Sequence, residues 1–189
     1  CSPQKPSGTT KNGILTNGLR TCVSLKQTRS LRAEALLWPN VISYSSAISA
    51  CEKGSQPLVA LQLLDDMDQD QVLPDVICFN AAISACETPT LWPLALSLFQ
   101  DMARCMHPSV VSYSAALSAC EKGAQWRTAL DLFSQLREDG LTPNVVSFNA
   151  LLSACEKAGK WQHAVSLFHG MTAQVTPDVI SYNAVLSSC

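Results

Sequence analysis

Five cysteines, Cys51, Cys86, Cys120, Cys155 and Cys189, fall 35, 34, 35 and 34 residues apart, each in nearly the same phrase: SACEKG, SACETP, SACEKG, SACEKA, SSC. A period of this length constrains the fold more than any composition does. It means one supersecondary unit stacked on copies of itself, because a single unit cannot bury its apolar face without its neighbours. A function for such a chain belongs on the surface of the stack, not in one catalytic pocket.

Each unit opens after a Pro-x pair: Pro39-Asn40, Pro74-Asp75, Pro108-Ser109, Pro143-Asn144 and Pro177-Asp178. The proline stops one helix, and the Asn, Asp or Ser caps the next. The units therefore span 41–75, 76–109, 110–144 and 145–178, with a partial fifth at 179–189. A first helix, helix A, of roughly twelve residues is expected to end near Gly54, Pro89, Gly123 and Gly159, residue types that break helices. Helix B follows, with Trp92, Trp126 and Trp161 in its first turn and apolar residues such as Ala129, Leu130, Leu132, Phe133 and Leu136 at helical spacing. The expected fold over 39–189 is all-α, a solenoid of helix-turn-helix units of 34–35 residues.

Hydrophobic residues at 47% and charged residues at 15% argue for a well-buried core. No uncharged, predominantly apolar run is long enough for a transmembrane helix, so no membrane role is expected. Nine cysteines in a small secreted chain would suggest disulfides. Here the periodic ones sit at equivalent places in helices that pack about 8–10 Å apart, too far for a bridge that wants Cα atoms roughly 4.4–6.8 Å apart. They read as unpaired buried thiols in a reducing compartment. There is no CxxC and no Cys/His pair at zinc spacing, so neither a metal nor a cofactor is expected.

Residues 1–38 differ from the rest. They hold six of the thirteen Lys and Arg and one acid, Glu34, in a Ser- and Thr-rich background. Such a stretch resembles an organellar transit segment, with a plain disordered leader as the simpler reading. Residues 31–40, LRAEALLWPN, read as the second helix of a degenerate unit. A start at Cys1 without methionine and a stop inside a unit lead us to expect a fragment.

At about 100° per residue, Val110, Tyr113, Leu117 and Cys120 share the core side of helix A. A second side carries Val111, Ser114, Ser118, Glu121 and Lys122, matched in the fourth unit by Val146, Asn149, Ser153, Glu156 and Lys157. The fifth residue of each unit stays within a narrow menu: Ser45, Asn80, Ser114, Asn149, Asn183. Small amides and hydroxyls there suit hydrogen bonding to a base edge; a solvated row of the same residues is the alternative.

The phrase PNVVSFNALLSACEKAGKWQHAVSLFHGMTAQVTPDVISYN resembles a pentatricopeptide repeat, with its Val-x-Ser-Tyr/Phe-Asn opening, Ala-x-x-Leu-Phe in helix B, Met before the loop and Pro-Asp at the end. The resemblance covers 39–189. The rival tetratricopeptide places its Trp, Leu-Gly and Tyr in helix A, whereas these units have Trp in helix B and a Pro-Asp/Asn ending directly before a Tyr/Phe-Asn/Ser pair.

The resemblance implies a right-handed superhelix whose groove holds single-stranded RNA, one base per repeat. Carried over, the reading pairs are Ser45 with Asp75, Asn80 with Ser109, Ser114 with Asn144, and Asn149 with Asp178, with Asn183 opening a fifth. Ile42, Ile77, Val111, Val146 and Ile180 become the apolar shelves between which bases sit. The family's pairing preferences then imply a core of 5′-GCAU-3′. Lys53, Lys122 and Lys157 resemble its phosphate-contacting lysines, or else they complement the helix macrodipole; the second unit has Thr88 instead. The second and fourth units are one residue short before Pro, so Ser109 and Asp178 are expected to be displaced.

Two features oppose RNA. From Trp38 onward the chain holds seven Lys and Arg against fourteen Asp and Glu, a formal charge of −7, whereas nucleic-acid affinity rests on neutralising phosphates. Glu52, Glu87, Glu121 and Glu156 also fall on the reading face, where each would repel RNA unless neutralised by the adjacent lysine. A scaffold binding a basic protein partner is therefore the alternative function. Catalysis is not expected: His107, His163 and His169 have no partnered nucleophile, and no Gly-rich phosphate loop occurs. The resemblance and the basic leader together imply a mitochondrial or plastid setting, with roles in RNA processing, stability or editing.

Overall fold

The computed structural model describes residues 39–189; the leader and the first part of the degenerate helix expected at 31–40 lie outside the described residues. Among the described residues there are nine helices and no strand. They are α1 Val41–Lys53, α2 Pro57–Gln69, α3 Val76–Ala85, α4 Trp92–Cys105, α5 Val110–Lys122, α6 Trp126–Glu138, α7 Val145–Lys157, α8 Trp161–Thr172 and α9 Val179–Ser188. Odd-numbered helices are the A helices and even-numbered ones the B helices.

All five A helices start in the same way. Asn40, Asp75, Ser109, Asn144 and Asp178 stand in extended backbone and accept a hydrogen bond from the backbone N–H three residues on. Each such cap satisfies one of the orphan donors of the first turn and contributes about 1 kcal/mol. The backbone N–H groups of Ser109 and Asp178 donate in return to Ser112 and Ser181 Oγ, completing capping boxes.

The A-to-B turns depart from the expectation in one detail. The residue that turns the chain with positive φ is Ser55 (51°), Ala124 (52°) or Gly159 (63°), while Gly54 and Gly123 keep φ near −83° and −84°. Gly123 is required for space: a Cβ there would lie 2.5 Å from the Trp92 ring of the preceding B helix. In the second unit α3 stops early, capped at Cys86, and the Thr88 hydroxyl accepts from Leu91 N–H at 3.2 Å to re-form the turn.

Each A helix packs on the next A helix, and each B helix packs on its own A helix and the following one, whereas B helices scarcely touch each other. Small residues permit this closeness. Ala60, Ala95, Ala129 and Ala164 occupy one position in successive B helices and are fully buried, as are Met67, Met102, Leu136 and Met171 seven residues later. Unit is keyed to unit by aromatic edges: Phe99 meets Tyr113, Phe133 meets Phe148 and Phe168 meets Tyr182, with ring centroids 4.9–5.0 Å apart. Tyr44 and Tyr113 also donate their hydroxyls to Asp70 and Asp139, both at 2.6 Å.

Four of the five periodic cysteines mark this core, and the fifth, Cys189, is exposed. Cys86, Cys120 and Cys155 are buried and Cys51 half-buried, all as free thiols. Burial pushes Cys86 and Cys155 up to about 11 and Cys120 to about 12. A thiol held protonated in this way is a poor nucleophile and a poor metal ligand.

Candidate nucleic-acid interface

The A helices present a repeated surface. At the second position of every unit an aliphatic side chain stands out: Ile42 is 68% exposed, Ile77 61%, Val111 62%, Val146 56% and Ile180 58%. A β-branched apolar residue at the same exposed place five times is not needed by the core and leaves a row of shelves. Between consecutive shelves lie the fifth residue of one unit and the N-cap of the next.

The pairs expected from the sequence meet to different degrees. Asn149 Nδ2 donates to both carboxylate oxygens of Asp178, at 3.0 and 3.1 Å, so the shorter fourth unit does not displace Asp178. The backbone N–H of Ser181 above all, and then the side chains of Asn149 and Ser181, hold the Asp178 carboxyl below its usual range. Ser114 lies at 3.5 Å from Asn144 Oδ1 but is buried, donating to Val110 O at 2.8 Å. Ser45 is half-buried and donates to Ile42 O at 3.0 Å, with no bond to Asp75, which caps α3 through Cys78 N–H. Asn80 and Ser109 share no hydrogen bond, but both line a hollow of about 450 Å³ together with Ile77, Val111, Ser84 and Glu52. Asn183 is exposed on α9.

Sequence reasoning missed the third residue of the A helix. Ser147 Oγ lies 3.0 Å from Ser114 Oγ, and Ser181 Oγ donates to Asn149 Oδ1 at 2.6 Å, so a buried serine of one unit holds the fifth residue of the unit before. The repeated Val-x-Ser opening was the available signal. The second unit places Cys78 there, a weak donor.

One glutamate of the row, Glu121, is neutralised from its own unit and from the next. Lys157 Nζ reaches Glu121 at 2.8 Å, and Lys122 lies at 3.7 Å from the same carboxylate. Lys122 and Lys157 therefore serve the carboxylates as well as facing solvent; Lys53 is exposed at the end of α1. Glu87 is raised to about 7, chiefly by burial, with Ser84 and Lys122 opposing the rise and Glu52 and Glu121 adding to it.

Other chemistry is sparse. His163 packs on the Trp126 ring at 5.0 Å. His107 lines an open hollow of about 540 Å³ beside Tyr113, Glu138 and Asp139 on the loop edge, away from the shelves. Among the described residues no His, Cys, Asp and Glu cluster is set to hold a metal, and no helix is long and apolar enough to cross a membrane.

Comparisons with known proteins agree with this geometry. The model described as the pentatricopeptide repeat domain matches residues 34–88 and 97–158, and that of the PPR repeat family matches 143–189. Among solved structures, the pentatricopeptide repeat protein PPR10 in complex with an 18-nt psaJ RNA element is similar at TM-score 0.71 and 23% identity, over 94% of this chain and 26% of that one. The crystal structure of PPR10 from maize gives 0.57 and 21%, over 93% and 29%. The PPR domain of Arabidopsis thaliana protein-only RNase P 1, in complex with tRNA, gives 0.68 and 18%, over 76% and 77%. The chain thus spans about a quarter of the RNA-bound PPR10 chain, and at these identities the likeness establishes the fold. A sequence search of curated proteins finds no match.

Proposed function

The chain belongs to the pentatricopeptide repeat family, and on that premise we propose that its A-helix face binds single-stranded RNA, one base between each pair of shelves. The observation that carries this is the row Ile42, Ile77, Val111, Val146 and Ile180, exposed at one position per unit beside a hydrogen-bonding pair. A flat base between two branched aliphatics loses water from both faces, and an amide, hydroxyl or carboxylate then selects its edge. The RNA complexes of PPR10 and of the protein-only RNase P 1 repeat domain support the same use of the fold.

The selected core is 5′-GCAU-3′, read by Ser45 with Asp75, Asn80 with Ser109, Ser114 with Asn144, and Asn149 with Asp178. Lys53, Lys122 and Lys157 meet phosphates once shared with or released from the glutamates. The setting is a mitochondrion or plastid, in RNA processing, stability or editing, and the basic leader supports it. Titrating labelled RNA containing GCAU against a scrambled partner at low salt tests the code; equal affinity for the two sinks it.

The −7 charge of the repeats favours a second reading, capture of a basic protein segment. Binding of a lysine-rich peptide that RNA does not displace would favour it over the first.

A further inference from the structure

The cations of the repeats are not spread evenly. The stretches 122–127 and 157–163, which run from the end of an A helix into its B helix, hold four of the seven Lys and Arg found from Trp38 onward and no Asp or Glu. The corresponding stretches of the first two units, 53–58 and 88–94, hold Lys53 alone. Stacking of the fourth unit on the third brings the two basic stretches together. Arg127 lies over the Trp126 ring at 5.2 Å from its centre, Lys160 of the next unit approaches the same ring at 5.6 Å, and the His163 ring packs against it at 5.0 Å. Trp161, beside Lys160, is 51% exposed.

Nothing in the fold asks for this arrangement. Arg127 is the second residue of α6 and Lys160 is the N-cap of α8, where the positive end of the helix dipole disfavours a cation. Two cations at one indole also repel each other. Neither has a carboxylate partner among the described residues, although Asp131 stands one turn beyond Arg127. The cation–π contact engages the charge of Arg127 and leaves its N–H donors for an acceptor outside the protein. This rim adjoins the A-helix face, because Lys122 and Lys157, which share Glu121, begin the two stretches.

Resting on the RNA-binding reading, we infer that the rim is a second, sequence-independent RNA site outside the A-helix face, where Arg127 and Lys160 contact phosphates and Trp161 stacks a base of the strand running 3′ of the core. Unpaired cations interleaved with an exposed indole suit a single strand: phosphates meet the charges, and any base offers the ring a flat face. An acidic polypeptide would use the charges and not the ring. The third and fourth units read the third and fourth bases, so the strand beyond them is the part within reach. The aliphatic shelves and the glutamates add no positive charge, and the rim supplies what the −7 repeat region otherwise lacks.

The test is fluorescence anisotropy on the full chain at low salt, comparing a short RNA that just covers GCAU with the same RNA extended by oligouridine on its 3′ or its 5′ side. The 3′ extension should tighten binding by about tenfold and the 5′ extension by less than about threefold, and the log–log salt slope should steepen by about 1.4 for two added phosphate contacts on the 3′ side. That slope tests the site on the unaltered chain. Arg127→Gln combined with Lys160→Gln should abolish both effects and leave the short RNA's affinity unchanged. Trp161→Ala should remove about fivefold of the tightening and leave the slope alone. An unchanged 3′ gain in both variants, equal gains from the two extensions, or equal losses for short and extended RNA overturns the rim site while RNA binding stands. Polyglutamate that binds the unaltered chain and not the double variant, with no 3′ gain for RNA, overturns it in favour of an acidic protein partner. Binding to no RNA, short or extended, overturns the RNA reading and this inference with it.

Discussion

Glu87→Gln should make the solenoid more stable at alkaline pH and leave it nearly unchanged in acid. Glu87 sits where α3 ends early, half-buried between Glu52 and Glu121, with Lys122 and the Ser84 hydroxyl as its favourable neighbours. Burial raises its carboxyl from 4.5 to about 7, so between those values the folded chain keeps a proton that the unfolded chain releases. Stability from this group is thus fully present below pH 4.5 and is lost as pH rises through 7. At 1.36 kcal/mol per unit the full shift corresponds to about 3 kcal/mol, which solvent screening of a partly exposed group reduces to about 1.5–2 kcal/mol. Urea unfolding of both proteins at pH 5, 6, 7 and 8, followed by circular dichroism, gives the difference directly, because titrations common to both cancel. The gap should widen from about 0.5 kcal/mol at pH 5 to about 1.5–2 kcal/mol at pH 8. A gap independent of pH would refute the burial argument.

Three further outcomes follow from the packing. Gly123→Ala drives a methyl into the Trp92 ring and should cost about 1–3 kcal/mol with a shift in tryptophan fluorescence; an unperturbed spectrum and unchanged melting would contradict the contact. Tyr113→Phe removes the 2.6 Å bond to Asp139 and should cost about 1–2 kcal/mol, whereas combining it with Asp139→Ala should add little, so additive losses in this double-mutant cycle would show that the two side chains do not interact. Glu121→Gln releases Lys122 and Lys157 and should tighten RNA binding at low salt and steepen its salt dependence; unchanged affinity there would mean the row does not face the groove.

The fold was legible because its signals repeat. Pro-x caps, the periodic cysteines and the aromatic at the fourth position each occur in every unit, so an error in one unit would be exposed by the others. The row proposed to read bases was legible only as positions. Whether Asn80 or Asn149 is free depends on neighbours 29–32 residues away in sequence, Ser112 and Ser109 in one case, Ser181 and Asp178 in the other. Periodicity cannot rank two asparagines that occupy the same place. The lysines were likewise legible only as positions: helical phase put them on the groove side, and the stacking of unit on unit brings Lys157 onto the glutamate of the unit before.

The alternation of 35- and 34-residue units has a physical counterpart at the fourth position. The longer first and third units carry Tyr44 and Tyr113, and each finds an acceptor in the aspartate that caps its own B helix, Asp70 or Asp139. The shorter second and fourth units end their B helices at Met106 and Ala173, which offer no carboxylate, and there the fourth residue is Phe79 or Phe148. Phe148 is buried, so Phe148→Tyr would place a hydroxyl there without the carboxylate that Tyr113 has, at a cost of about 1–3 kcal/mol. In the four complete units residue choice and loop length thus vary together, with the hydroxyl of Tyr44 and Tyr113 present where the longer loop supplies its acceptor. The stack is therefore built from pairs of units, and a graft or deletion that keeps the pair intact preserves these bonds, whereas exchanging a single unit's loop strands a tyrosine or an aspartate.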